Sequence, residues 1–222
     1  MTDHPVIAIV HSTTASIAPT TEAFAREMPQ ARLWNLLDDR LGADADQAGT
    51  VTPPLRRRML DLIRHGIGGG ADAVLMACSM YGDTVAVAER IWTTPVFASD
   101  LDMMNHLART RPRTVAVLAS LEAAAVDSAT RLRIHLDTHQ TGTEIVPIFS
   151  TGAAAAAAAG DLNQLVQTLA ADLDGRDVDT LCLAQYSLSP AADDLAELTG
   201  LPVVSPPHLA ARAVRERLES AS

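Results

Sequence analysis

Two corners of this 222-residue chain join an apolar run to a polar turn, and only one of them contains a thiol. In "MACSMYGDT" (76–84) the turn opens with Cys78, and in "LAQYSLSPA" (183–191) it opens with Gln185. A cysteine near a helix N-terminus can have a lowered pKa, which suits it to proton transfer or nucleophilic attack. A glutamine exchanges no proton near pH 7, but its amide can hydrogen-bond a carboxylate or a carbonyl. The alternatives are an inert, buried cysteine and a glutamine that only ties its own turn together.

Hydroxyl side chains crowd four predicted turns, each of which follows a strand and precedes a helix. Ligands bind at the carboxyl ends of strands in open parallel sheets, and hydroxyls with backbone N–H groups can hold a carboxylate there. Taken singly, each of these residues is more often a helix cap or a turn residue, and Tyr81 either lines a ligand site or packs within its own domain. The predicted substrate-binding residues are Ser12, Thr13, Thr14, Ser79, Tyr81, Ser120, Gln185, Tyr186 and Ser187. His11, at the end of the first strand, is the one histidine retained as a further candidate.

The elements that must position these residues are short apolar runs that alternate with stretches of helical length. Because the runs are almost continuously apolar, they are typical of parallel strands covered by helices on both faces. The alternation predicts an α/β fold with parallel sheets. The predicted strands are 6–11, 31–37, 71–77, 95–99, 114–120, 143–149, 178–184 and 202–205. The predicted helices are 19–28, 53–67, 83–92, 101–109, 122–136, 161–174, 190–199 and 207–219.

An internal repeat explains why the corner occurs twice. Residues 71–98 align with 178–205 without a gap, and 7–12 align with 115–120 at nearly the same offset. Two matches in the same order predict two similar halves. We therefore expect two pseudo-symmetric parallel-sheet α/β domains with the active site in the cleft between them. The predicted first half comprises 1–98 plus 206–222, so that the last helix returns to it, and the second half comprises 99–205.

Composition excludes several classes of function. The formal charge of −10 and the aromatic content of 3% argue against a nucleic-acid ligand. No apolar stretch has the length of a membrane helix and no signal peptide is recognisable, so we expect a cytoplasmic protein without a membrane partner.

Cofactor and metal chemistry is not indicated either. Metal-ligand spacings and a dinucleotide-binding glycine motif are missing, so we predict no metal and no cofactor. The chain has no lysine, which excludes Schiff-base chemistry on that side chain. Of the two cysteines, Cys182 lies in the middle of an apolar run and is interpreted as a core residue.

These features resemble the aspartate/glutamate/hydantoin racemase superfamily over nearly the whole chain. The segments "HSTTASIAPTTEAF", "ACSMYGD", "LAQYSLSPAADDL" and "LPVVSPP" carry the resemblance. Within the superfamily, the chain is most similar to the branch with a CS-aromatic-G corner and an LAQ-aromatic-S corner. The resemblance implies a cofactor-independent enzyme, commonly a homodimer, that acts on a small carboxylic acid. It also implies that Cys78 is the catalytic cysteine of the first half, with carboxylate-binding positions at Ser12, Thr13, Ser79 and Ser120.

Gln185 departs from the two-cysteine pattern, because it stands where such racemases have their second thiol. Three hypotheses therefore stay open. The first is an isomerase or racemase in which Cys78 transfers a proton and another group, such as His11 or Tyr186, supplies the second one. The second is a decarboxylase of the arylmalonate decarboxylase type, for which a single proton donor is sufficient. The third is a binding protein for small acids that has no turnover.

Overall fold

The computed structural model describes residues 4–220, without the side chain of Asp46, and it confirms the predicted alternation of strands and helices. The eight strands are β1 (Val6–His11), β2 (Arg32–Leu37), β3 (Ala73–Met76), β4 (Val96–Phe97), β5 (Thr114–Ala119), β6 (Glu144–Phe149), β7 (Thr180–Leu183) and β8 (Val203–Val204). The ten helices of this part of the chain are α1 (Ile17–Glu27), α2 (Arg40–Ala48), α3 (Pro53–Gly68), α4 (Asp83–Ile91), α5 (Leu101–Thr110), α6 (Glu122–Thr138), α7 (Ala153–Ala159), α8 (Leu162–Ala171), α9 (Ala192–Thr199) and α10 (Pro206–Ser220).

The strands form two separate four-stranded parallel sheets with the same topology. The first has the order β2-β1-β3-β4, and the second has the order β6-β5-β7-β8. The registers correspond as well, since Ile9 pairs with Leu75 in the first sheet and Val117 pairs with Cys182 in the second. The predicted pair of pseudo-symmetric parallel-sheet α/β domains is therefore confirmed.

Burial separates the central strands from the edge strands. Every residue of β3, β5 and β7 is buried, as the continuous apolar runs predict for strands covered on both faces. The edge strands β2 and β6 contain exposed and partly buried positions as well as buried ones. Pro147 lies in β6, where the missing backbone N–H of proline is tolerated because the outer side of the strand needs no partner.

Helix α3 shows how the first sheet is covered. Its buried residues Leu55, Met59, Ile63 and Gly66 recur every three or four positions, which is the spacing of one helix face. A Cβ atom at Gly66 would lie 2.7 Å from the Cβ of Ala8 in β1, so only glycine permits this close approach of helix and sheet. The Ala8 and Val10 side chains of β1 belong to the same buried cluster as this helix face.

Two helices are additions to the sequence-based prediction. Helix α2 has the sequence "RLGADADQA", in which a glycine and two aspartates of low helix propensity interrupt good helix formers. It is held by tertiary contacts, with Leu41 and Ala45 buried in the core of the first sheet. Helix α7 consists of seven alanines and has a left-handed glycine at each end, at Gly152 and Gly160. Alanine has the highest intrinsic helix propensity, and left-handed glycines are common at helix ends.

The chain divides into two compact units. The first comprises Met1–Asp102 and Pro207–Ser222, and the second comprises Met103–Pro206. Within the first unit α10 contacts the end of α1, where Arg212 donates to the Glu27 carboxylate at 3.1 and 3.2 Å. The bounds predicted from the repeat, 1–98 plus 206–222 and 99–205, stay a prediction.

Asp72, just before β3, and Asp179, just before β7, are identical residues at matching positions of the internal repeat, and both have the same structural role. Asp72 accepts a hydrogen bond from the Val6 amide at 2.8 Å, and its own amide donates to the Val6 carbonyl. Asp179 accepts from the amides of Arg113 and Thr114 at 3.0 and 3.2 Å. Each carboxylate therefore ties together the first residues of the two central strands of its sheet, at the end away from the corner with Cys78 or Gln185.

Candidate active site

Cys78 lies at the carboxyl end of β3 with an extended backbone, at φ −149° and ψ 116°. A short 3-10 turn, Ser79–Tyr81, separates it from α4, so the thiol does not cap an α-helix directly. The expectation that a helix N-terminus lowers the pKa of this cysteine is corrected accordingly. The turn nevertheless brings the amides of Met80 and Tyr81 close enough to the sulfur to favour the thiolate.

Burial is the largest influence on this thiol. It raises the pKa of Cys78 above its usual range, and the negative charge of nearby Asp100 adds to the increase. The hydroxyl of Ser12 and the two amides lower the pKa, but by less than burial raises it. Cys78 is therefore a protonated thiol near pH 7, in contact with a hydroxyl donor on the neighbouring strand end.

Tyr81 packs behind the thiol. Its side chain is fully buried, and its hydroxyl donates to the Leu41 carbonyl of α2 at 2.9 Å. Burial, with a smaller contribution from Cys78, raises the pKa of Tyr81 to about 12. Of the two roles that the sequence left open for this residue, the structure shows the packing role, which fixes the 3-10 turn against α2.

The first turn of the chain supplies hydroxyls beside Cys78. Ser12 directly follows β1 and is buried. It lies beside Cys78 because β1 is the neighbour of β3 in the sheet. Thr13 and Thr14 are exposed, and Thr13 caps a second 3-10 turn, Thr14–Ser16, by accepting a long hydrogen bond of 3.4 Å from the Ala15 amide. This turn thus offers one buried hydroxyl to the thiol and two exposed hydroxyls to solvent.

His11 has both ring nitrogens engaged within the first unit. Nδ1 lies 2.7 Å from the Ser16 hydroxyl, and Nε2 lies 2.9 Å from the Asn35 side-chain oxygen. The imidazole is fully buried, and burial lowers its pKa, although the hydrogen bond with Asn35 opposes the effect. His11 is therefore a neutral, immobilised histidine near pH 7.

The second corner has the same backbone form and a different side chain. Gln185 follows β7 at φ −133° and ψ 143° and opens the 3-10 turn Tyr186–Ala191. Its side-chain oxygen accepts from the Ser120 amide at 2.7 Å and from the Ser120 hydroxyl at 2.9 Å. Because a backbone N–H can only donate, this contact fixes which amide atom is the oxygen. The NH₂ group then points away from Ser120 and, within residues 4–220, donates to no other protein group.

The remaining candidates differ in exposure. Ser79 and Ser187 are partly buried, each on the turn that follows its corner. Tyr186 is 6% exposed, and its carbonyl accepts a hydrogen bond from the Ser189 hydroxyl. The backbone carbonyl of Tyr186 thus serves to close the turn, as the Tyr81 carbonyl does by accepting from Thr84 at 2.6 Å.

Three residues near the first corner were not singled out from the sequence. Ser16 and Asn35 hold His11, and Asp100 lies close enough to Cys78 to affect its pKa. Asn35 was the most readily detectable, because it is the one polar residue within the run "LWNLL". Asp100 and Ser16 stand in ordinary turn sequences and carry no such signal.

Between His4 and Ser220, no group of three or more histidine, cysteine, aspartate or glutamate side chains is arranged to hold a metal ion. Among the helices of that same stretch, none combines the length and the apolar character needed to cross a membrane.

Sequence comparison finds no relative of this chain. No model of a protein family matches it. No curated protein matches it either.

Structure comparison, in contrast, finds many solved structures with a similar fold. Glutamate racemase from Bacillus anthracis is 12% identical, with a TM-score of 0.76 over 99% of this chain and 84% of that one. Allantoin racemase from Klebsiella pneumoniae is 17% identical, with a TM-score of 0.71 over 98% and 89%. A point mutant of arylmalonate decarboxylase is 20% identical, with a TM-score of 0.67 over 98% and 94%.

In each case the structural similarity extends over nearly all of this chain. The fold that the sequence resemblance implies is confirmed. These neighbours are members of the aspartate/glutamate/hydantoin racemase superfamily, and the present chain has their two-unit α/β fold.

Proposed function

We propose that this chain is a cysteine-dependent enzyme of the racemase type, which transfers a proton at the carbon next to the carboxylate of a small acid. The observation that carries the proposal is the pair formed by the Cys78 thiol and the Ser12 hydroxyl at the carboxyl ends of β3 and β1. The fold supports it, since the structural neighbours include racemases and a decarboxylase.

The substrate carboxylate is held by hydroxyls and backbone amides in this proposal. Thr13 and Thr14 are exposed on the first turn, and Ser79 is partly buried next to Cys78. Such donors stabilise negative charge as it spreads from the carboxylate to the neighbouring carbon, in the manner of an oxyanion hole. No arginine or lysine stands in either turn, so recognition relies on neutral donors.

Cys78 serves as the proton carrier. Burial raises the pKa of its thiol, so the resting group near pH 7 is protonated and ready to donate to a carbanion. After deprotonation, the same raised pKa makes the thiolate a stronger base for the reverse transfer. Isomerisation needs both directions, and a second proton carrier on the opposite face of the substrate.

The second candidate is a decarboxylase, and the Gln185 corner favours it. Here the bond from the substrate carbon to one carboxylate breaks, carbon dioxide leaves, and the electron pair stays on the carbon as an enediolate. The Cys78 thiol donates one proton to that carbon, and water returns a proton to the thiolate. Gln185, whose oxygen is already bound by Ser120, exchanges no proton near pH 7, so this corner supplies no second proton carrier of the kind that isomerisation needs.

The absence of a lysine supports a mechanism without a Schiff base. We extend the proposal to independence from pyridoxal phosphate and from a catalytic metal, and to a homodimer, as the resemblance implies. Loss of activity upon dialysis against a chelator would contradict metal independence, and sedimentation equilibrium measures the oligomeric state.

Incubation of candidate acids in D₂O tests the proposal and separates its two forms. Isomerisation gives deuterium at the carbon next to the carboxylate with no loss of carbon. Decarboxylation gives carbon dioxide and one deuterium in the product. Both signals are expected to disappear in Cys78→Ala and to persist in Cys182→Ala. Turnover that is equal in the Cys78→Ala protein contradicts the proposal in both forms.

A further inference from the structure

A buried network occupies the first turn and links it to the neighbouring strand. His11 contacts the Ser16 hydroxyl through Nδ1 and the Asn35 oxygen through Nε2. The Ser16 hydroxyl also lies 3.0 Å from the Thr13 carbonyl, and the Ser16 carbonyl accepts from Thr20 at 2.6 Å. The network therefore spans both ends of the 3-10 turn that begins after Thr13.

Proton counting assigns the donors in this network. In the orientation in which the Asn35 oxygen faces Nε2, the proton of a neutral imidazole lies on Nε2. Nδ1 is then an acceptor, and the Ser16 hydroxyl is its donor. That hydroxyl has a single proton and two acceptors, Nδ1 at 2.7 Å and the Thr13 carbonyl at 3.0 Å, so it is shared between them.

The equivalent positions of the second half have no such network. At the offset of the repeat, His11 corresponds to Ala119 and Ser16 to Ala124. Asn35, which pairs with Ile9, corresponds to Pro147, which pairs with Val117. There α6 starts directly at Glu122, without the 3-10 turn that precedes α1. The network and the turn thus occur together, and only in the half that contains the thiol.

We propose that His11 is a positioning residue for the site at Cys78. Through Ser16 and Asn35 it holds the first turn in the form that places the Ser12 hydroxyl on the thiol and exposes Thr13 to the substrate carboxylate. The inference rests on the proposed function, in which this turn binds a carboxylate. In this role His11 neither contacts the substrate nor transfers a proton. The role therefore differs from that of a second proton carrier, which the sequence suggested for His11.

Alkylation of Cys78 by two reagents of similar size tests this role. Iodoacetate carries a carboxylate and iodoacetamide does not, so the ratio of their rates, relative to the ratio for free cysteine, reports carboxylate recognition beside the thiol. The parent protein is Cys182→Ala, which leaves one thiol. The variants are Ser16→Ala, which removes a single buried oxygen, together with His11→Gln and His11→Asn. His4→Gln is the control, because His4 is exposed in the same unit.

We expect the relative preference for iodoacetate to fall about tenfold in Ser16→Ala and His11→Gln, the scale of one lost buried hydrogen bond. His11→Asn is expected to retain most of the preference, because the asparagine amide lies near the position of Nδ1 and keeps the link to Ser16. The control keeps the parent ratio. A role in folding alone predicts equal changes in both rates and no rescue by asparagine.

The possible failures are distinguishable. A parent preference that persists in Ser16→Ala and in both His11 variants overturns the positioning role and leaves the proposed function standing. A parent protein without any preference, and with no response to Ser12→Ala, overturns the carboxylate site itself and with it the inference.

Discussion

The two corners of this molecule have the same framework and different chemistry. Before each corner an alanine amide, that of Ala77 or Ala184, donates to the neighbouring central strand at 2.9 Å. After each corner a 3-10 turn leads into a helix, and a serine from the neighbouring strand end contacts the corner side chain. What differs is that one side chain is a protonated thiol and the other an amide.

This difference separates the framework that the two halves share from the side chains that distinguish them. The backbone and the serines are retained in both halves, because they shape the carboxyl end of a parallel sheet. The corner side chain differs, with a thiol that can exchange protons in the first half and an amide that only hydrogen-bonds in the second, and the proposed function assigns the chemistry to the thiol. The His11 network has the same one-sided distribution as the thiol.

Removal of the Cys78 thiol is expected to have the largest effect on activity. Cys78→Ala is expected to lower the rate of deuterium exchange or carbon dioxide release by about a thousandfold, within the usual contribution of a general acid or base. Mass spectrometry of acids incubated in D₂O measures the effect. Cys182→Ala is the matched control, since Cys182 is buried in the middle of β7 and its sulfur lies 3.5 Å from the Met103 sulfur. Equal loss in both variants would assign the effect to packing rather than to chemistry.

Substitution of Gln185, at the second corner, is expected to weaken substrate binding. Gln185→Ala removes the NH₂ donor and is expected to raise KM about tenfold, with a smaller change in kcat. Gln185→Glu keeps the shape but offers a negative charge, so it should bind a carboxylate less well than Gln185→Ala does. Steady-state kinetics on a turned-over acid measures both. A higher affinity in Gln185→Glu would contradict the predicted role of Gln185 in substrate binding.

The serine pair tests whether equivalent residues support different groups. The Ser12 hydroxyl lowers the pKa of the Cys78 thiol, so Ser12→Ala should raise that pKa further. The alkylation rate at pH 8 is then expected to fall about threefold to fivefold, because only the thiolate reacts. Iodoacetamide kinetics between pH 6 and pH 10 measure the shift, with the midpoint moving to higher pH. Ser120→Ala is the control and should leave this profile unchanged, since Ser120 contacts Gln185.

The aspartate pair at the opposite ends of the sheets predicts equal effects in the two halves. Asp72→Ala and Asp179→Ala should each lower the free energy of unfolding by about 1–2 kcal/mol, because each leaves strand amides without their acceptor. Activity at saturating substrate is expected to stay unchanged. Urea denaturation measures the stability. Asp61→Ala, which breaks only an exposed pair with Arg64, should change it by less than about 0.5 kcal/mol. A large difference between Asp72 and Asp179 would argue against equivalent halves.

The sequence by itself determined the fold class, the two-fold repeat and the position of the corners. Continuous apolar runs leave few alternatives to buried parallel strands, and a nearly constant offset between matching segments defines the repeat. All eight strands were predicted within a few residues of their observed bounds. The corner residues followed from the same argument, because the ends of parallel strands lie at one edge of a sheet.

Only the tertiary structure decided the environment of those residues. The pKa of Cys78 is raised because burial outweighs the amides of its turn, and the degree of burial is not visible in "ACSMYG". Burial of Leu41 and Ala45 in the core stabilises helix α2 and offsets the low helix propensity of its glycine and aspartates. His11 meets Asn35, which is 24 positions away, because β2 lies beside β1 in the sheet. Each of these outcomes depends on distant contacts, which a local pattern of residue types does not encode.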